Sequence, residues 1–346
     1  MSVKSVFIAW YSYSRRAESL AAELGGQVSF QYETKLKSIW LTPLRYLIQG
    51  WKTWRFLDHE RPEVVLVQAP PVFAPLIVAA WCELRGNPGS SGHRVPYVID
   101  CHSGTFYGRR WSWALPLLRL LSQRAVVTLV ASEAALVTLQ SWKVRGVFLV
   151  DGLPTLEQAT GTVGSQGEAR VAVISSFAAD EPVSEVFAAA RLLPQVTFYF
   201  SGEAKRVPTM LLTQKPENVI LTGFLPASAY TGLLKNVHGL VVLTKEPNIL
   251  NCGSYEALAV AKPAVVSDWP QIRRCFTRGF IYVTNTPEAI AAGIKKMLEE
   301  QAMLATEVIA MRSELMSRRQ PNFEKFIALL NLEVNDNGKI STASVI

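Results

Sequence analysis

Cysteine is scarce in this sequence and does not cluster. Cys82, Cys101, Cys252 and Cys275 form no C-x-x-C pair, which excludes a disulfide-stapled small scaffold. The 4 histidines are equally scattered and complete no zinc spacing with them, so no metal is expected. This usage fits a reducing cytoplasm. No span offers the roughly 20 unbroken apolar residues that a membrane-crossing helix requires. The longest apolar stretch, Val64 to Trp81, contains Gln68, Pro70, Pro71 and Pro75, and Trp111–Leu139 is interrupted by Arg119 and Arg124. The opening Met1–Trp10 is too short in its apolar part for a signal peptide and reads as a first strand. Its following junction, Tyr11-Ser-Tyr-Ser-Arg15-Arg16, lacks G-x-G-x-x-G, which disfavours a dinucleotide. Internal repeats and low-complexity segments are missing too.

What is present is alternation. Apolar runs such as Val64–Gln68, Tyr97–Cys101, Val196–Phe200 and Ala264–Ser267 recur between helical patterns. Val-, Ile- and Phe-rich runs without polar alternation suit parallel strands buried on both faces, and the βαβ rhythm predicts doubly wound sheets. A chain of 346 residues, 49% hydrophobic, holds two such domains. The segment 151–168, with four Gly and one Pro and no apolar period, marks the boundary. The expected division is a domain at 1–155, a linker at 156–168, a domain at 169–332 with a C-terminal helix able to cross back, and a frayed tail at 333–346. Charge is uneven: residues 1–150 carry 17 Lys+Arg against 9 Asp+Glu, the remainder 18 against 19. The first half therefore seeks an anionic partner.

Ligands of doubly wound sheets sit outside the carboxyl ends of strands, so each strand–helix junction matters. The most informative is Asn248-Ile-Leu-Asn251-Cys252-Gly253-Ser254-Tyr-Glu256. It reads as a loop entering a helix whose first amides could hold an anion, with Glu256 a turn later to accept from sugar hydroxyls. An ordinary capped helix makes the same pattern. Arg15 and Arg16 could clamp a phosphate or simply form a solvated first turn. Asp100-Cys101-His102-Ser103-Gly104 puts a carboxylate and an imidazole after a buried strand, where either could take a proton from an acceptor hydroxyl or be satisfied by backbone amides. Ser175-Ser176-Phe177, Ser201-Gly202-Glu203-Ala-Lys205 and Leu221-Thr-Gly223-Phe224 could supply amides, charge and a ring for a nucleotide. Finally, 35–57 is basic and aromatic, with three Trp and five Lys/Arg. That suits an anionic membrane surface or an amphipathic helix packed on its own sheet; no nucleic-acid-binding signature accompanies it.

In order, these junctions resemble the GT-B glycosyltransferases, especially the β-1,4-mannosyltransferase that extends lipid-linked chitobiose, and more distantly the family 4 enzymes. Leu66-Val-Gln68-Ala-Pro70-Pro71, a helix, then Val98-Ile-Asp100-Cys101-His102-Ser103 is similar to that family's L-Q-N-P-P and V-I-D-W-H-N. Ser14-Arg15-Arg16 resembles its R-S-P-R turn, Ile174-Ser-Ser-Phe-Ala-Ala-Asp180-Glu181 its S-S-T-S-W-T-x-D-E, and Ser201-Gly202-Glu203 its T-G-K-G. Family 4 enzymes carry E-x7-E; here Glu256 matches the second position and Asn248 stands at the first.

The resemblance implies an α/β GT-B fold: two Rossmann-like doubly wound domains facing across a cleft. It implies a hexosyltransferase acting from a UDP- or GDP-linked sugar, with no cofactor beyond that co-substrate. The second domain would bind the donor through Ser175, Ser176, Phe177, Gly202, Lys205, Gly223, Phe224, Asn248, Asn251, Cys252, Gly253, Ser254 and Glu256. The first would bind a lipid-linked glycan acceptor, with Asp100 or His102 as base and Arg15 and Arg16 on phosphate. It would work in the cytoplasm, peripheral on the inner face of the cell membrane. The alternatives are a retaining family 4 transferase with a soluble acceptor, and a non-catalytic GT-B partner subunit.

Overall fold

A computed structural model of the chain describes residues 3–33, 39–85, 94–107, 111–154, 156–159 and 168–336. Most of the expected linker, the last ten residues of the expected tail and residues 34–38 of the basic aromatic segment lie outside these described residues. The chain divides into two compact units, Met1–Gly152 with Arg318–Ile346, and Leu153–Ser317.

The first unit runs β1 (Ser5–Ala9), α1 (Arg15–Glu23), β2 (Gln27–Phe30), α2 (Thr42–Glu60), β3 (Val64–Ala69), α3 (Phe73–Leu84), β4 (Tyr97–Cys101), α4 (Ser103–Tyr107), α5 (Leu115–Arg124), β5 (Val127–Val130), α6 (Glu133–Ser141) and β6 (Gly146–Phe148). Its sheet is parallel, in the order β2-β1-β3-β4-β5-β6. Alternation along each strand divides the core between two faces. Val6, Ile8, Val65, Val67, Tyr97 and Ile99 pack with Val78, Trp81 and Leu118 of α3 and α5. Phe7, Ala9, Leu66, Val98 and Leu129 pack with Ala17 and Leu20 of α1.

The second unit runs β7 (Ala169–Val173), α7 (Val183–Leu192), β8 (Val196–Ser201), α8 (Thr209–Thr213), β9 (Val219–Gly223), α9 (Ala227–Asn236), β10 (Gly239–Val242), α10 (Cys252–Ala259), β11 (Ala264–Ser267), α11 (Pro270–Cys275), β12 (Phe280–Val283), α12 (Pro287–Glu299) and α13 (Gln301–Asp336). Its order, β12-β11-β10-β7-β8-β9, is again parallel. Val171, Val173, Phe198, Phe200 and Val265 face Val186 and Phe187 of α7 and Ile290 and Ile294 of α12.

The C-terminal helix is divided between the two units. Its residues from 318 onward belong to the first unit, because Phe326 and Leu330 join Phe7, Leu66 and Leu129 in that core. The order reverses between β1 and β3 in one sheet and between β7 and β10 in the other, so the junctions after those strands are where ligands fit.

Candidate functional site

Charge is buried at the carboxyl ends of β3 and β4. Asp100 has no exposed surface, and Arg16, reaching over from α1, is 7% exposed. Ser14 starts α1 by accepting from the Ala17 amide, which sets Arg16 in the first turn against the sheet. Arg16 Nε donates to both Asp100 oxygens, at 2.9 and 3.0 Å, and Nη1 donates to Asp151. Burial works to raise the Asp100 pKa, but the Arg16 charge and His102 outweigh it and hold the carboxyl below the usual range. Burial likewise opposes the Arg16 charge, and Asp100 and Asp151 more than restore it. His102 follows, its side chain 37% exposed and its Nε2 3.6 Å from Asp100 Oδ2. The same nitrogen lies 2.7 Å from the amide nitrogen of Gln68 on β3, and the His102 backbone N–H donates to the Ala69 carbonyl at 2.9 Å. An imidazole so held keeps one edge on fixed polar groups and leaves part of the ring to solvent.

The second unit gathers hydroxyls and amides around its carboxylates instead. Thr244, just beyond β10, is fully buried and ties four strand ends together. Its hydroxyl donates to Asp180 in the loop after β7. Its amide donates to Ser267 Oγ of β11, and its carbonyl accepts from Trp269 Nε1 and from Asn285 Nδ2 after β12. Beside it, Glu181 accepts from the hydroxyls of Ser175 and Ser176 and from the Ser176 amide. Gly202 holds φ +112°, and a Cβ there would stand 2.2 Å from the Ser175 carbonyl. Only glycine lets the β8 loop approach the β7 loop so closely. In α10, Asn251 is the N-cap. Gly253 packs so tightly that a Cβ would stand 3.0 Å from Ile174 and Val242 side-chain atoms. Glu256 is 3% exposed and accepts from the Tyr230 hydroxyl of α9.

No family model matches the chain, and no curated protein matches its sequence. Solved structures do match in fold. A sucrose-phosphate synthase from Thermosynechococcus elongatus aligns over 95% of this chain and 99% of its own, with TM-score 0.68 and 12% identity. Anabaena HepE, in complex with UDP and glucose, aligns over 94% and 100%, with TM-score 0.69 and 15% identity. A glycosyltransferase from Rickettsia africae aligns over 98% and 100%, with TM-score 0.63 and 10% identity. The chain has the GT-B fold.

Within the GT-B fold, the expected residues fall into three groups. Asp100 and Arg16 are spent on each other. The carboxylate has no surface on which a hydroxyl could dock, and the guanidinium already serves two carboxylates, so neither takes the role of exposed base or phosphate clamp; the His102 ring is the group here that solvent reaches, and Arg15 is half-buried. Ser175, Ser176, Phe177, Gly202, Asn251, Gly253, Ser254 and Glu256 lie at the carboxyl ends or helix starts of the second sheet, beside its reversal point. Lys205, 78% exposed, is ion-paired with Glu203 at 2.5 Å, while Cys252 is exposed on the first turn of α10 and Asn248 sits in the preceding loop. Phe224 is 88% exposed beyond Gly223, whose φ is +71°. Sequence reasoning missed Thr244, Glu181's grip on the serines, Tyr230 and Asp151. Thr244 carried the same signal as Ser175, a hydroxyl directly after an apolar strand; Tyr230, inside a helix, carried none.

Proposed function

We propose that this chain is a glycosyltransferase that moves a hexose from a nucleotide-diphosphate sugar to a hydroxyl of a lipid-linked glycan. The observation that carries the reading is the cluster of hydroxyls and amides at the β7/β10 reversal point, where a GT-B fold leaves room for a nucleotide. The loops holding Ser175, Gly202 and Asn251 would face the diphosphate, Glu256 the ribose, and Phe224 the base. On the first unit, His102 would take the acceptor proton, with Asp100 behind it to stabilise the imidazolium. The freed oxygen attacks the anomeric carbon, the bond to the diphosphate breaks with its electron pair leaving on that group, and the anomeric centre inverts. Backbone amides oriented in advance offset the charge on the departing diphosphate.

Helix α2 supports a membrane-borne acceptor. Gln49, Gly50, Thr53 and Leu57 are its buried residues, whereas Leu44 (47%), Leu47 (72%) and Trp51 (59%) stand exposed, with Trp40 (89%) just before it. Its inner side also packs Tyr46, Trp54 and Phe56 on the core, so Leu44, Leu47 and Trp51 form a second, outward apolar stripe that suits a second apolar phase. Arg55 stacks on Trp51 at 5.1 Å, and Lys52, half-exposed, pairs with Glu33 at 2.9 Å, so the phase would be anionic where it meets Arg55. No helix among the described residues is long and apolar enough to cross a membrane.

Incubation with a panel of UDP- and GDP-hexoses and a membrane extract tests the reading: transfer, abolished in His102→Ala and in Glu256→Ala, is expected, and product of unchanged amount in both variants overturns the site. One observation favours a second reading, a GT-B subunit that does not transfer: Glu181 already fills the Ser175–Ser176 donors. Donor hydrolysis by the purified chain decides against it.

A further inference from the structure

The junction Gln68-Ala69-Pro70-Pro71 holds His102 twice. The Ala69 carbonyl accepts from the His102 backbone N–H at 2.9 Å, and the Gln68 amide nitrogen stands 2.7 Å from the ring Nε2. Gln68 and Asp100 are direct partners in the β3–β4 register, so their side chains leave the sheet on the same face. They meet the ring at the same nitrogen, with Asp100 Oδ2 at 3.6 Å. Both neighbours of Nε2 are buried, Gln68 at 3% exposure and Asp100 at none. No hydrogen bond among the described residues engages the other ring nitrogen, Nδ1.

Only one proton fits between two nitrogens. If the Gln68 amide donates, Nε2 must offer its lone pair, and the proton of a neutral ring sits on Nδ1. Such a ring has no lone pair left for an acceptor hydroxyl. In that arrangement Gln68 Oε1 is buried without a partner, and the Nε2 lone pair faces the Asp100 carboxylate, which repels it. Turned by half a revolution about its terminal bond, the same amide presents Oε1 to the ring. Nε2 then carries the proton, which both the carbonyl and the carboxylate attract, and Nδ1 carries the lone pair. We infer that Gln68 is the positioning residue of the proposed base: its carbonyl holds the proton on Nε2 and commits Nδ1 to the acceptor hydroxyl. The inference rests on the reading of His102 as that base. The hydroxyl proton goes to Nδ1, the oxygen bonds to the anomeric carbon, and Nε2–H stays in place. Asp100 alone does not fix the ring, since 3.6 Å exceeds a hydrogen bond and its oxygens already accept from Arg16.

Nitrogen NMR of the full chain, isotope-labelled at histidine, tests the assignment at a pH about 2 units above the ordinary imidazole pKa of about 6.5. Long-range proton–nitrogen spectra tell a protonated ring nitrogen from a bare one, and His102→Ala identifies the signal. A protonated Nε2 and a bare Nδ1 are expected. The reverse overturns the inference, whether or not the chain transfers sugar, and this result stands even where a Gln68 variant fails to fold. Gln68→Leu removes the carbonyl. Its Nε2–H is expected to exchange freely with water, and kcat to fall about tenfold, the size of one hydrogen bond, with KM unchanged. Gln68→Glu keeps an oxygen at the ring and is expected to restore both. Proton exchange and kcat of wild-type size in Gln68→Leu overturn the inference. Transfer unchanged in His102→Ala is a different failure: it removes the base, and the inference with it, even where the spectra show Nε2–H.

Discussion

The two sheets solve the same problem with different chemistry. Both are six-stranded and parallel, and both gather polar groups where the strand order reverses. In the first, the gathered groups are charged: Arg16 bridges Asp100 and Asp151 without appreciable contact with water. In the second, Thr244 links Asp180, Ser267, Trp269 and Asn285 through hydroxyls, amides and an indole, and the carboxylates of Glu181 and Glu256 accept from serine and tyrosine hydroxyls. A buried ion pair adds little net stability, but removing one partner leaves an uncompensated charge. Loss of the uncharged Thr244 side chain removes only hydrogen bonds. The Arg16–Asp100 pair is thus the more brittle to single substitution, the Thr244 node the more tolerant.

Arg16→Ala breaks the comparison hardest. Asp100 would remain buried without its counter-charge, at a cost of about 3–5 kcal/mol, read as an early unfolding transition in urea. The same pair makes the first unit sensitive to acid. Because Asp100 titrates below its ordinary value of 3.8 when folded, its stabilisation is fully present above that value and is lost as pH falls through the lowered one. Asp100→Asn should flatten that acid limb. Thr244→Val should leave it intact; an equal flattening by Thr244→Val would contradict the contrast.

Gly202→Ala comes next. A methyl group would stand 2.2 Å from the Ser175 carbonyl on a backbone at φ +112°, a strain of about 1–3 kcal/mol. The Ser175–Ser176 loop must shift, and UDP affinity should fall while the first unit's acid transition stays in place. Thr244→Val is milder, about 1–2 kcal/mol for its lost hydrogen bond to Asp180 and the orphaned acceptor, read as a lower thermal midpoint of the second unit.

These contrasts were only partly legible in the sequence. The βαβ rhythm and buried strands followed directly from Val- and Ile-rich runs, because parallel strands covered on both faces have no polar face to confuse the pattern. Strand β2, Gln27-Val-Ser-Phe30, was missed because it is an edge with no fully buried residue. Helix α6 was missed inside an apolar span, although Ser132 caps it. Asp100 and His102 are near neighbours in sequence and in space, but the sequence gives no hint that Arg16 would claim the carboxylate from 84 residues away. Ion pairs across a sheet depend on which strands become neighbours, and spacing along the chain does not encode that.

The smallest effect separates exposed cations of the two units. Lys52 and Arg55 stand on α2 among exposed Trp51 and Leu47. Lys205 and Arg206 are more exposed than Lys52 and pair with Glu203, as Lys52 pairs with Glu33, but the stacking of Arg55 on Trp51 sets the first pair apart. Near an anionic bilayer each cation contributes about 1 kcal/mol, within a Debye length of roughly 10 Å at 0.1 M salt. Lys52→Gln with Arg55→Gln should therefore weaken vesicle binding by about tenfold or more, while Lys205→Gln with Arg206→Gln should leave it unchanged. Flotation with anionic and neutral vesicles measures both. Equal losses in the two double variants would mean that net charge alone, not the pairing of cations with exposed tryptophan and leucine, draws the chain to the surface.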